Sequence, residues 1–300
     1  MKKLSLLLLV CMASMLAFGQ TESTAQPDDR SSNRSAPAML GIYWAKGFQP
    51  LNGSKSNPDL TFRHGEIMPT ASVHAIFWGP SWADPVFDGD KITGLETFYL
   101  GFGGSGYAHA SNEYTGTNGQ VTSTVSYTGY TKDGTTASGG DIPLVIFNEV
   151  CKVIGSGAVH NGFYPVYVDL PRGTSNYCAY HGASTCNGVI IQLAFFWNPD
   201  GDTGCDPQDT QTGHSQGLAA LANSSAHELS EARTDPNYRG WRDSQEFENA
   251  DKCVFAFPHP LVTFSSNGSM WKLQGLWSNY AYDTNTGYPN YLGQNGCIDN

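Results

Sequence analysis

The sequence predicts an α+β domain: a mixed sheet crossed by one long helix, backed by a second helix and stabilised by disulfides. Three observations lead there. Through the middle of the chain, apolar patterns run in the order helix, strand, strand, helix. Of the seven cysteines only Cys11 lies in an N-terminal export signal, leaving an even number for an oxidising compartment. The 300 residues, 40% of them hydrophobic, are enough to bury the core of one large domain.

The opening "MKKLSLLLLVCMASMLAFGQ" has two lysines, an apolar run from Leu4, and Ala17 and Gly19 spaced for cleavage before Gln20. It predicts a signal peptide over 1–19 and a secreted protein, extracellular or periplasmic. Residues 20–37 are Ser, Thr, Asp, Arg and Pro with almost no large apolar side chain, which predicts a disordered leader. Residues 38–300 then form a single domain. "SVHAIFWG" (72–79) reads as a buried strand and "GDKITGLETFYLGF" (89–102) as a short helix. "GQVTSTVSYTGYT" (119–131) alternates like a half-buried strand. The helical period of 142–155 is closed by Gly155. Strands follow at 163–171 and 187–197, with "CAYHG" (178–182) between them as a loop. The helix 216–234 ends before Pro236, which cannot continue it. Strand 189–196 is expected at the sheet edge beside a cleft, where an extended peptide would add as a further strand.

A formal charge of −11 with only 14% charged residues argues against a nucleic-acid partner, which needs a basic surface. After the signal no apolar run approaches the roughly 20 residues of a membrane span. Cys151, Cys178, Cys186, Cys205, Cys253 and Cys297 are expected in disulfides whose pairing the sequence does not choose. The absence of a C-x-x-C pair counts against zinc held by thiolates.

The helix 216–234 carries "AHELSEARTDP" (226–236), an H-E-x-x-H-like pattern with Glu231 in the place of the second histidine. Residues four apart differ by about 40° in azimuth, so His227 and Glu231 share a face and can reach one ion. Glu228, turned by about 100°, would stand beside that ion and take a proton from water. In one large group of zinc hydrolases the third ligand is a Glu about 20 residues on. In "EFENADKC" (246–253), Glu248 lies 17 residues after Glu231, and Asp251 follows one turn later as an outer-shell partner of His227 or as the ligand itself. His181 in "CAYHG" is a further candidate, either a satisfied loop residue or one lining the cleft in a catalytic role. The motif and the strand–helix order together make the expected domain zincin-like. The expected ion is Zn2+. Two carboxylates on it leave bound water less acidic and let a harder divalent ion compete. Paired charges on a solvated helix face would give the same pattern without a metal.

"GHSQG" (213–217) matches the serine-hydrolase elbow, with Asp235 or Asp251 and then His259 in the expected chain order. An elbow needs a strand running into it, and the polar "DTGCDPQDTQT" (202–212) precedes this one, so Ser215 or Thr212 is expected to cap the helix instead. The Trp- and Tyr-rich 270–291 reads as aromatic packing or as a sugar-stacking surface.

"CAYHG", "NGVIIQLAFFWNP", "AHELSEARTDP" followed by "GWRD", and "EFENADKC" resemble, in the same order, blocks of the plant EXORDIUM, or phosphate-induced, cell-wall protein family and its microbial relatives. The likeness covers roughly residues 70–297. It implies a secreted, disulfide-bearing, wall-associated protein linked in plants to growth, with no settled biochemical activity. It also implies importance for His227, Glu228, Glu231, Glu248, Asp251 and His181 without naming a reaction. The chain departs from the plant pattern in its acidic, Ser-rich leader and sparser cysteines. The expected function is thus a secreted metal-dependent hydrolase acting on a peptide or protein. The alternatives are a non-catalytic extracellular or cell-wall-associated protein binding polysaccharide or a protein partner and, less favoured, a serine hydrolase.

Overall fold

A computed structural model describes residues 38–50, 58–137 and 142–300. The predicted signal peptide and leader lie outside the described residues. Six strands form the central sheet: β1 (Leu40–Trp44), β2 (Ala71–Trp78), β3 (Val125–Asp133), β4 (Gly162–Pro171), β5 (Tyr177–Cys186) and β6 (Val189–Asn198), in the order β1-β5-β6-β4-β2-β3. The sheet is mixed: β6, β4, β2 and β3 are parallel neighbours, while β5 runs antiparallel to both β1 and β6. Asn187 and Gly188, both in the left-handed region, make the two-residue turn that returns β5 into β6 and so fix the Cys186–Val189 register.

Three helices cover the sheet. α1 (Lys91–Phe102) and α3 (Gln216–Thr234) pack on one face, where Leu95, Phe98 and Phe102 join Leu218, Leu221, Leu229, Phe77, Tyr167 and Phe196 in the larger core. α2 (Pro143–Ile154) covers the other face through Ile146, Phe147 and Val150, which meet Ile76, Val166, Tyr180, Leu193 and Phe195. The result is a mixed α/β architecture. The helices expected at 89–102, 142–155 and 216–234 agree with the observed spans within two residues.

Two expectations are corrected. The strand 189–196 is not an edge: β6 is paired on both sides, by β5 and β4. Its run "VIIQLAFFW", apolar but for the buried Gln192, is what a strand covered on both faces needs, whereas an edge strand tolerates polar alternation. "CAYHG" is not a loop but the centre of β5, held by pairing to β1 and β6 rather than by its own small, weakly strand-forming residues. Among the described residues the sheet edge on this side is β1, a strand the sequence pattern did not reveal. In the Trp- and Tyr-rich 270–291, Trp271 and Trp277 are buried, which favours aromatic packing over a sugar-stacking surface there. No helix among the described residues is long and apolar enough to cross a membrane.

The cysteines pair as Cys151–Cys186, Cys178–Cys205 and Cys253–Cys297. The second ties β5 to the segment leading into α3, and the third ties the end of "EFENADKC" to the C-terminal strand Asn295–Ile298. With its partners 27 positions apart in sequence, the Cys178–Cys205 bridge should contribute about 3–4 kcal/mol by restricting the unfolded chain. Chemical denaturation of the Cys178→Ala/Cys205→Ala protein should show that loss, and an unchanged midpoint would contradict it.

Candidate metal centre

Every residue of α3 from Gly217 to Thr234 is buried. Its first half explains how: Ala219, Ala220, Ala222, Ser224, Ser225 and Ala226 are small enough for a helix to be enclosed on all sides. Ser215 caps it, its Oγ accepting from the Leu218 N–H at 3.1 Å. "GHSQG" is therefore a helix start. No strand runs into it, and His259 pairs with Asp299 at 2.7 Å instead of with Ser215.

The second half of α3 brings charge into this enclosed space. His227, Glu228, Glu231 and Arg233 are all fully buried. Arg233 donates to the carbonyl oxygens of Ala108 and Thr122 rather than to a carboxylate. Helical spacing puts His227 and Glu231 together, with Nε2 3.1 Å from Oε1 but without hydrogen-bond alignment. Asp251 completes this group, its Oδ1 3.6 Å from the same Nε2 and its backbone N–H donating to Glu231 Oε1 at 2.9 Å. His181 reaches the helix from β5. It alternates with Tyr180, so it and Ala179 face α3 while Tyr180 faces α2. Its Nε2 lies 2.9 Å from Glu248 Oε2 and 3.9 Å from Glu231 Oε2. Two groups able to hold a metal ion result, His227–Glu231–Asp251 and His181–Glu231–Glu248, with ligand atoms within 4.8 Å of one another in each. All six residues singled out in the sequence thus meet around α3, although Glu228 belongs to neither group.

The loop carrying Glu248 and Asp251 is built to hold them. Asp243 accepts from the Gln245 and Phe247 N–H groups and pairs with the buried Lys252 at 3.0 Å, and the Glu248 N–H donates to Asp251 Oδ2. Asp251 starts a 3-10 turn ending at Cys253, so Glu248 precedes the turn rather than lying on a regular helix as expected. That turn is pinned by the disulfide at its last residue.

Sequence reasoning missed three further residues. Tyr43 lies over the His227 ring, with centroids 4.7 Å apart, and accepts from Asn223. Gln274 donates from Nε2 to the Ala250 carbonyl and faces His227 Nδ1 at 3.1 Å. With that amide nitrogen donating to both, the neutral form of the ring carries its proton on His227 Nε2, toward Glu231 and Asp251. Gly41, at φ +35°, lies directly on the site: a Cβ there would come within 1.9 Å of Glu231 Oε2. No local pattern flags any of the three.

Burial raises Glu228 and Glu248 well above the usual carboxylate range and Glu231 above it; neighbouring carboxylates add to the effect. His181 is lowered by burial to about 4. Burial also works against the charged form of His227, yet Glu231, then Asp251 and Glu228, hold it well above its usual value. Both Glu228 oxygens, Glu231 Oε2 and Glu248 Oε1 have no hydrogen-bond partner among the described residues. Of the six, only Asp251 touches the surface, in a pocket of about 140 Å³ lined by Gly41, Ile42, Tyr238 and Phe247.

Comparison with protein-family models, with curated proteins and with solved structures finds no match. The likeness to EXORDIUM proteins rests on the quoted sequence blocks alone.

The shifts fix a sign for the effect of pH. The three raised glutamates keep protons in the fold that the unfolded chain loses near 4.5, so the stability they contribute fades as pH rises. His227 acts in the same direction above 6.5, and His181 acts oppositely only between about 4 and 6.5. As pH rises above 6.5 the ion-free protein should therefore lose stability, and a divalent cation that replaces the protons should cancel the loss. Thermal unfolding with chelator and with zinc checks this; a melting temperature that stays flat or rises with chelator contradicts it.

Proposed function

We propose that the protein is a secreted metal-dependent hydrolase of zincin-like build, acting on peptides, with His227, Glu231 and Asp251 holding a divalent ion. One observation carries the reading: buried carboxylates and imidazoles converge, and His227 Nε2, both Glu228 oxygens, Glu231 Oε2 and Glu248 Oε1 have no hydrogen-bond partner among the described residues, an arrangement that is costly unless a cation occupies it. Ligands about 2.1 Å from a tetrahedral zinc lie about 3.4 Å apart, between the 3.1 and 3.6 Å separating His227 Nε2 from Glu231 Oε1 and Asp251 Oδ1. Zinc suits the imidazole, and three surrounding carboxylates also suit a harder ion.

A bound ion would acidify a water and polarise a carbonyl. Glu228, buried in the next helical position, serves as the base that takes the proton, and a cation beside it would favour the ionised form that this work needs. For His227 to offer Nε2, its proton must move to Nδ1. Gln274 would then have to turn its amide so that Oε1 accepts it, giving up the Nε2 bond to the Ala250 carbonyl. Substrate would approach by the pocket at Asp251. There β1, paired on one side only among the described residues, offers an open edge to an extended chain, the part first assigned to strand 189–196.

The complete burial of five of the six residues favours a second reading. In it the ion is structural, and the protein is a non-catalytic extracellular one that binds wall polysaccharide or a protein partner. Glu228→Gln and Glu231→Gln separate the two. If Glu228 is the base, its variant keeps metal and fold but loses about 10²-fold or more in peptide hydrolysis, while Glu231→Gln loses metal first. Metal analysis and hydrolysis of a peptide library check this. Full metal without hydrolysis in the wild type supports the structural reading, and absence of metal from the wild type removes both.

A further inference from the structure

We propose that the site takes two divalent cations bridged by Glu231, the second held by His181 and Glu248; this deepens, and rests on, the metal-site reading above. A single-ion arrangement built on the helix motif and Asp251 has no use for His181, which comes from β5, yet that side chain is fully buried and aimed at α3. The two oxygens of Glu231 face opposite ways. Oε1 lies 3.1 Å from His227 Nε2, while Oε2 lies 3.9 Å from His181 Nε2 and has no hydrogen-bond partner among the described residues. Glu248 Oε2 stands 2.9 Å from that same nitrogen, and Glu248 Oε1 is also without a partner. Each Glu231 oxygen therefore has its own imidazole and its own further carboxylate, as in sites where one carboxylate spans two ions about 3.5–4 Å apart.

Charge points the same way. Glu228, Glu231, Glu248 and Asp251 carry four negative charges when ionised, which two dications with neutral imidazoles balance and one does not. No lysine or arginine side chain forms an ion pair with these carboxylates among the described residues. Lys252 pairs with Asp243 and Arg242 with Asp235 and Glu246, while Arg233 donates through Nη2 to main-chain carbonyls. Gly41, over both Glu231 Oε2 and the His181 ring, keeps a side chain out of the space the second ion would fill.

The test is the full secreted chain, stripped with chelator and reloaded with Zn2+ or Mn2+, with the metal retained after dialysis counted per protein. Two equivalents are expected, and the Mn2+ form should show the electron paramagnetic resonance signature of an exchange-coupled pair. His181→Ala should hold one equivalent and lose the coupling; Glu231→Gln should hold fewer than one. His181→Gln and far-UV circular dichroism guard against misfolding, and the wild-type count and spectrum decide the matter even if both His181 variants fail to fold. One uncoupled equivalent in the wild type overturns the two-ion proposal and leaves the single-ion hydrolase standing. No retained metal overturns both.

Discussion

A helix that carries ionisable side chains can be enclosed on every side only if something neutralises them, and that constraint organises this protein. From Gly217 to Thr234 α3 has no exposed residue, yet it brings His227, Glu228 and Glu231 into the interior, where β5 and the 243–253 loop add His181, Glu248 and Asp251. Desolvating an unpaired carboxylate costs several kcal/mol, and these carboxylates meet without enough basic partners. Protons or cations must fill the deficit. The raised proton affinities of the glutamates are the ion-free answer, and the converging orphaned atoms are the shape of the other.

The scaffold supports this arrangement by dividing its labour. Large apolar side chains on both sheet faces supply the hydrophobic stabilisation, about 25 cal/mol per Å² of apolar surface removed from water. Small residues in the first half of α3 let the sheet, α1 and the C-terminal segment close around it. Polar positions close to the site fix orientations: Gln274 and Tyr43 hold His227, and Asp243 with Lys252 holds the loop that carries Glu248 and Asp251. Cys178–Cys205 and Cys253–Cys297 anchor the two segments that approach α3 from opposite directions in the chain.

Much of the site was legible in the sequence because covalent spacing alone fixes it. The four-residue step from His227 to Glu231 needs no knowledge of the rest of the fold, and the boundaries of α3 follow from Ser215 and Pro236. Glu248 and Asp251 were legible as a carboxylate pair, though their 3-10 turn was not. What failed depended on long-range pairing. β5 is a strand because β1 and β6 flank it, so "CAYHG" gave no local sign, and His181 was singled out while being assigned to a loop. The edge was misplaced for the same reason: β1 is five residues long and carries no strong alternation, so the largely apolar run of β6 drew the assignment that belonged to β1. Gly41, Tyr43 and Gln274 act across separations of many tens of residues and leave no trace in any local period.

The central claim is that the enclosed cluster around α3 is a cation site, and anomalous X-ray diffraction tests it most directly. In crystals grown with zinc, data collected at the zinc edge should show a peak about 2 Å from His227 Nε2, Glu231 Oε1 and Asp251 Oδ1. Density without an anomalous peak there, with the carboxylates hydrogen-bonded to one another through protons, would contradict the account.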